Sequence, residues 1–227
     1  MQYHIQTTPI WDAFSDQCDC PLCTLYKRTE DRLIKRYLDD AVMEPSARVK
    51  VNKRGFCADH LKKLFVGGNK LGLSLQVHTR TDFIIDELSS PNNASQAKKL
   101  REKILKSADT CVICDEVDEI MERYAYTIAE MFIYEPEFSK TFVQSKGFCL
   151  PHFALLLKFV RRAGKMQKEY ANALYKVQVE SMRKSNDELD RFSRSFDYRS
   201  SDKQAQTGDA LVHSINKLKG NILTKKQ

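Results

Sequence analysis

One cysteine pattern, written twice, constrains this chain more than any other feature. Cys20-Pro21-Leu22-Cys23 is followed by Gly55-Phe56-Cys57-Ala58-Asp59-His60, with 33 residues between Cys23 and Cys57. Cys111-Val112-Ile113-Cys114 is followed by Gly147-Phe148-Cys149-Leu150-Pro151-His152, with 34 residues between Cys114 and Cys149. The two Cys-x2-Cys pairs lie 91 residues apart, and so do Glu44-Pro45 and Glu135-Pro136. A match outside the cysteines marks an internal duplication rather than a chance spacing.

Residues three apart at a helix start point from one face of its first turn. Two such pairs supply four ligands. Three thiolates and one imidazole suit tetrahedral zinc with no position left for water. The partial positive charge of a helix N-terminus favours the thiolate form. The spacing therefore predicts two zinc ions per chain. Within each repeat one ion is expected on Cys20, Cys23, Cys57 and His60, the other on Cys111, Cys114, Cys149 and His152. Thioredoxin-type chemistry needs its Cys-x-x-Cys in a βαβ setting, and none is present. The long insert also differs from a small nucleic-acid-binding finger, where roughly a dozen residues separate the ligand pairs.

Eight glycines and six prolines are few for this length and favour long helices. Helical periodicity predicts helices over about 21–43, 46–52, 57–66, 70–88 and 95–107, then from Cys111 to Glu135. Further helices are expected after His152, over 165–183, from a capping box at Ser185, and over 205–218. Pro9, Ile10, Trp11 and Phe14 should anchor a leader onto the first repeat. No stretch alternates as a strand does, so the fold class is all-α: two pseudo-repeats of helices, each stapled by a Cys3His zinc site, plus a C-terminal helical extension. The expected divisions are a leader 1–19, a first repeat 20–94, a second repeat 95–200, and a basic helix and tail 201–227.

The chain resembles an uncharacterised bacterial family, domain of unknown function 6062, over nearly its whole length. The resemblance is carried by both cysteine motifs, by Met43-Glu44-Pro45 with Arg48, by Asn52, by Asn69-Lys70-Leu71-Gly72-Leu73 and by Asp197-Tyr198-Arg199. It implies a shared fold and shared metal ligands, and brings no activity.

The net charge of +7 resides in the last third. Residues 1–152 hold 21 Lys and Arg against 22 Asp and Glu; residues 153–227 hold 16 against 8. No apolar run reaches the ~20 residues of a membrane span, no signal peptide is evident, and paired cysteines as metal ligands fit a cytoplasmic protein. Two closed zinc sites leave the metal no chemistry. The leading reading is a non-catalytic protein-interaction module that binds a protein partner or itself. The alternatives are a redox-sensing zinc switch, in which thiolate oxidation releases metal and which a reactive Cys18 would favour, nucleic-acid binding through the basic third, and an enzyme with a site between the repeats using Glu44, Arg48 or Asn52.

Overall fold

The computed structural model describes residues 7–16, 18–88, 90–196 and 208–220. Among these are eleven α-helices and no strand, as the periodicity predicts. They are α1 (Thr7–Ser15), α2 (Pro21–Leu38), α3 (Pro45–Arg54), α4 (Ala58–Val66), α5 (Lys70–Glu87), α6 (Ala94–Ala108), α7 (Val112–Tyr134), α8 (Pro136–Val143), α9 (Leu150–Lys158), α10 (Gln167–Arg194) and α11 (Asp209–Lys219). Among the described residues, no helix is long and apolar enough to cross a membrane. The predicted break at Asp197-Tyr198-Arg199 and the start of the last predicted helix lie outside the described residues. The chain forms two compact units: a central one, residues 28–120, and a terminal one, the segment up to Lys27 together with the chain from Met121 onward. Neither coincides with a sequence repeat.

In the central unit, Leu33, Tyr37, Val51, Leu64, Ile113 and Val117 build the core. α5 approaches the end of α2 so closely that a Cβ on Gly72 would stand 2.4 Å from the Leu38 carbonyl oxygen. Asn69 fixes this corner. Its Oδ1 accepts from the Gly72 N–H at 2.8 Å, capping α5, while its Nδ2 donates to the Leu38 carbonyl at 2.7 Å. α5 buries Gly72, Leu73 and Gln76. Leu71, Leu75, His78 and Ile85, which helical spacing spreads along one side, are exposed. The corner at Leu38, rather than hydrophobicity, sets the rotation of this helix.

The terminal unit has an aromatic core. Phe14, Phe132, Phe138, Phe142, Phe148 and Tyr170 are buried, with ring centroids between 5.0 and 6.4 Å apart along the cluster. Aromatic pairs in edge-to-face or offset-stacked arrangements add about 0.5–1.5 kcal/mol per pair beyond area burial. The leader belongs here: Trp11 packs on Phe138 and donates its indole N–H to Glu135 at 3.1 Å. Its expected docking on the first repeat is thus corrected, because the aromatic receptor for Phe14 comes from α8 and Phe148. The capping box expected at Ser185 is absent. α10 runs through it unbroken, and the buried Ser185 hydroxyl meets the Ser214 hydroxyl of α11 at 2.7 Å. α11 docks by its polar side: Ser214, Asn216 and Lys217 are buried, whereas Leu211 and Leu218 are exposed.

Candidate metal centres

All eight predicted ligands converge, in two sets of four. Cys20, Cys57, Cys111 and Cys149 each directly precede a helix, α2, α4, α7 and α9. The partner ligand follows three residues later, so each pair sits on a first turn where the helix N-terminus favours thiolate. Proline begins α2, as predicted, at a position where its missing N–H goes unneeded. Gly55 and Gly147 precede the second pairs with φ of 65° and 81°, a conformation glycine adopts freely. A Cβ at Gly147 would also meet the Ser181 Cβ at 2.6 Å.

The grouping differs from the one predicted. Cys20 and Cys23 meet Cys149 and His152 in the terminal unit; Cys111 and Cys114 meet Cys57 and His60 in the central unit. Each repeat therefore completes the other's site. The helices between the motifs supply the reason. α2 starts among the residues of the terminal unit and ends among those of the central one, and α7 starts in the central unit and ends in the terminal one. Each Gly-Phe-Cys-x2-His motif therefore belongs to the other unit from its own Cys-x2-Cys.

The separations fit one tetrahedral ion in each set. In the terminal site, the Cys149 Sγ lies 3.9 Å from the Cys20 Sγ and 3.7 Å from the Cys23 Sγ. The His152 Nδ1 lies 3.1–3.5 Å from the three sulfurs. In the central site, Cys57 and Cys114 are 3.9 Å apart, and the His60 Nδ1 is 3.2–3.4 Å from the three sulfurs. Metal bonds of about 2.3 Å to sulfur and 2.0–2.1 Å to nitrogen, at tetrahedral angles, require about 3.8 Å between sulfurs and about 3.5 Å from sulfur to nitrogen. A disulfide would need ~2.05 Å.

Cys149 is pulled down to about 3 by hydrogen bonds from Cys20 and Cys23, and Cys23 is pushed up by its bond to Cys149. Burial raises Cys114 and lowers His60, which keeps that imidazole neutral and able to bind. The donor sets thus suit a dication, whose binding expels the remaining thiol protons.

Sequence reasoning missed the supporting residues. Glu30 is buried and accepts from the His60 Nε2 at 3.2 Å, which fixes Nδ1 as the ligand atom; Lys63 reaches the same carboxylate oxygen at 2.6 Å. This is the carboxylate–histidine arrangement that orients metal ligands. Its signal was available: Glu30 lies on the stripe that buries Leu33 and Tyr37. In the terminal unit, Lys217 donates to the carbonyls of Asp19 and Lys146, both at 2.5 Å, tying α11 to both ligand loops. Gln178 pairs with both backbone groups of Phe148 at 3.1 and 3.0 Å.

The other candidates lie elsewhere. Glu44 pairs with Arg36 at 2.9 Å rather than with Arg48, and Arg36, Tyr37 and Lys50 gather on Glu116 at 2.9–3.3 Å. Asn52 gives its carbonyl to Arg80, and its side-chain oxygen is buried without a partner. Cys18 is half-buried, its thiol pushed up by desolvation. His78 is exposed beside Asp82; His213 approaches Asp19 at 3.6 Å.

The protein belongs to a family of unknown function, DUF6062, whose sequence model matches residues 1–225. A relative from Caldicellulosiruptor sp. (strain Rt8B.4), described as an uncharacterized 23.9 kDa protein in the xynA 3' region, is 24% identical over 140 residues. That match spans 61% of this chain and 66%, just under two thirds, of the relative. No solved structure matches the chain.

Proposed function

We propose that this protein is a non-catalytic helical scaffold held by two structural zinc ions, which presents its surface to a protein partner or to a second copy of itself. The observation that carries the reading is that each converging set already holds four donors, three sulfurs and one nitrogen, with no side left for substrate. Zinc is supported by bond lengths and a tetrahedral preference that fit these separations, and its closed sites stabilise folds without reacting. Thiolate ligation suits a reducing compartment, the cytoplasm. Support for a partner comes from Phe65, Val66 and Leu71, which flank the α4–α5 turn and are 63%, 83% and 71% exposed. Large exposed apolar side chains grouped together are characteristic of interaction surfaces.

Elemental analysis of protein purified without added metal tests the zinc reading: two zinc per chain supports it, while none or one, with free thiols, ends it. Size measurement and cross-linking at the α4–α5 turn test the partner reading. Nucleic acid ranks second, because Glu180, Asp187 and Asp190 interrupt the basic positions of α10 and Asp190 pairs with Arg194 at 2.8 Å. The redox reading loses weight with Cys18, since a thiol raised by burial is a poor nucleophile.

A further inference from the structure

A cavity of about 310 Å³ lies in the central unit, lined by residues of α4, α5 and α6 with Gly55 and Phe56. Its walls include Leu61, Val77, Ile84 and Ile104, and none of its lining residues is acidic. One cation faces it. The Arg80 guanidinium donates to the Asn52 carbonyl and, at 2.5 Å, to the Ser107 hydroxyl. It lies against Gly55, whose missing side chain leaves it room. No carboxylate of the described residues lies within ion-pairing distance of it; burial lowers its pKa, Glu87 opposes this from farther off, and the Phe83 ring centroid is 5.7 Å away. Of five guanidinium N–H donors, two are used. Gln76 also lines the cavity. It is 1% exposed, its Nε2 donates to the Tyr37 carbonyl at 3.4 Å, and its Oε1 has no partner.

A buried acceptor without a donor and a half-buried cation without a directly paired anion are both costly in an apolar setting. One ligand repairs both: a carboxylate for Arg80, an N–H for Gln76, and an apolar side chain for the walls. These groups stand together on a single carbon in the last residue of a polypeptide. A free amino acid supplies the same groups, but its ammonium would be desolvated beside a cation with no acid in the cavity lining to balance it. We propose that this cavity binds the C-terminal residue of a partner chain, one with an apolar side chain and a free carboxylate. The assignment rests on the protein-partner reading and names what the partner presents.

The test uses the zinc-loaded full chain and N-acetyl-L-leucine as probe, followed by methyl NMR. Saturable shifts of Val77, Leu61 and Ile104 methyls are expected. N-acetyl-L-leucinamide, which lacks the carboxylate, should bind at least about tenfold more weakly, as should Arg80→Met. Because Arg80 also holds Asn52 and Ser107, Arg80→Met risks unfolding. Ile104→Trp, at a half-exposed position on the cavity wall, should abolish binding while leaving the melting temperature unchanged. Absence of shifts, equal binding of the amide, or free L-leucine binding as tightly as its N-acetyl form would each overturn the proposal. None of these outcomes touches the zinc stoichiometry or the cross-links on which the partner reading stands.

Discussion

Replacing Glu30 with glutamine removes one charge and no volume. The Glu30 carboxylate is buried and accepts from both the His60 Nε2 and the Lys63 ammonium. In Glu30→Gln the imidazole loses its charged acceptor and Lys63 its counterion. Loss of such an outer partner lowers metal affinity by about 10–100-fold, or about 1.4–2.8 kcal/mol. Lys63 adds little, since its ammonium is half exposed. The terminal site is the internal control, because Glu30 does not touch its four ligands. Chelator competition should therefore become biphasic: one zinc leaves at 10–100-fold lower chelator concentration, and the other as before. A single unchanged transition, or equal weakening of both sites, would refute the role assigned to Glu30.

Three further outcomes are expected. Cys149→Ser should unfold the terminal unit, because structural zinc contributes roughly 10–16 kcal/mol in small peptides against a domain's total of about 5–15; retained near-ultraviolet dichroism from Trp11 would contradict this. Acid should release metal: burial holds His60 below its unfolded value of about 6.5, so its contribution is present above that pH and is lost as pH falls towards the folded value. A melting temperature that rises between pH 7.5 and 5 would reverse that sign. Gly147→Ala should destabilise by about 1–3 kcal/mol, since its Cβ would meet Ser181 at 2.6 Å and its φ is positive; an unchanged denaturant midpoint would show that the loop yields.

The sequence carried the ligands and most helix limits because both follow local rules: proline at helix starts, glycine at positive φ, cysteine and histidine three apart. α6 begins where Asn93 caps it and α11 ends at Gly220 for the same reason. Where tertiary contacts decide, the local rules failed. Ser185 reads as a cap, yet α10 continues because a buried hydroxyl of α11 takes its side chain. α8 escaped notice since its Phe138 and Phe142 are too few turns apart to show a period. The ligand grouping was ambiguous in principle, as either Cys-x2-Cys can pair with either Gly-Phe-Cys-x2-His. The passage of α2 and of α7 from one unit to the other resolves it, and no local rule shows where a helix changes units.

The central claim is that each metal joins one ligand pair from each repeat. Substitution with cadmium-113, followed by correlation of the metal to cysteine β-protons, reads the ligands of each ion directly. The account predicts one resonance coupled to Cys20, Cys23 and Cys149, and another coupled to Cys57, Cys111 and Cys114. A resonance coupled to Cys20, Cys23 and Cys57 would contradict it.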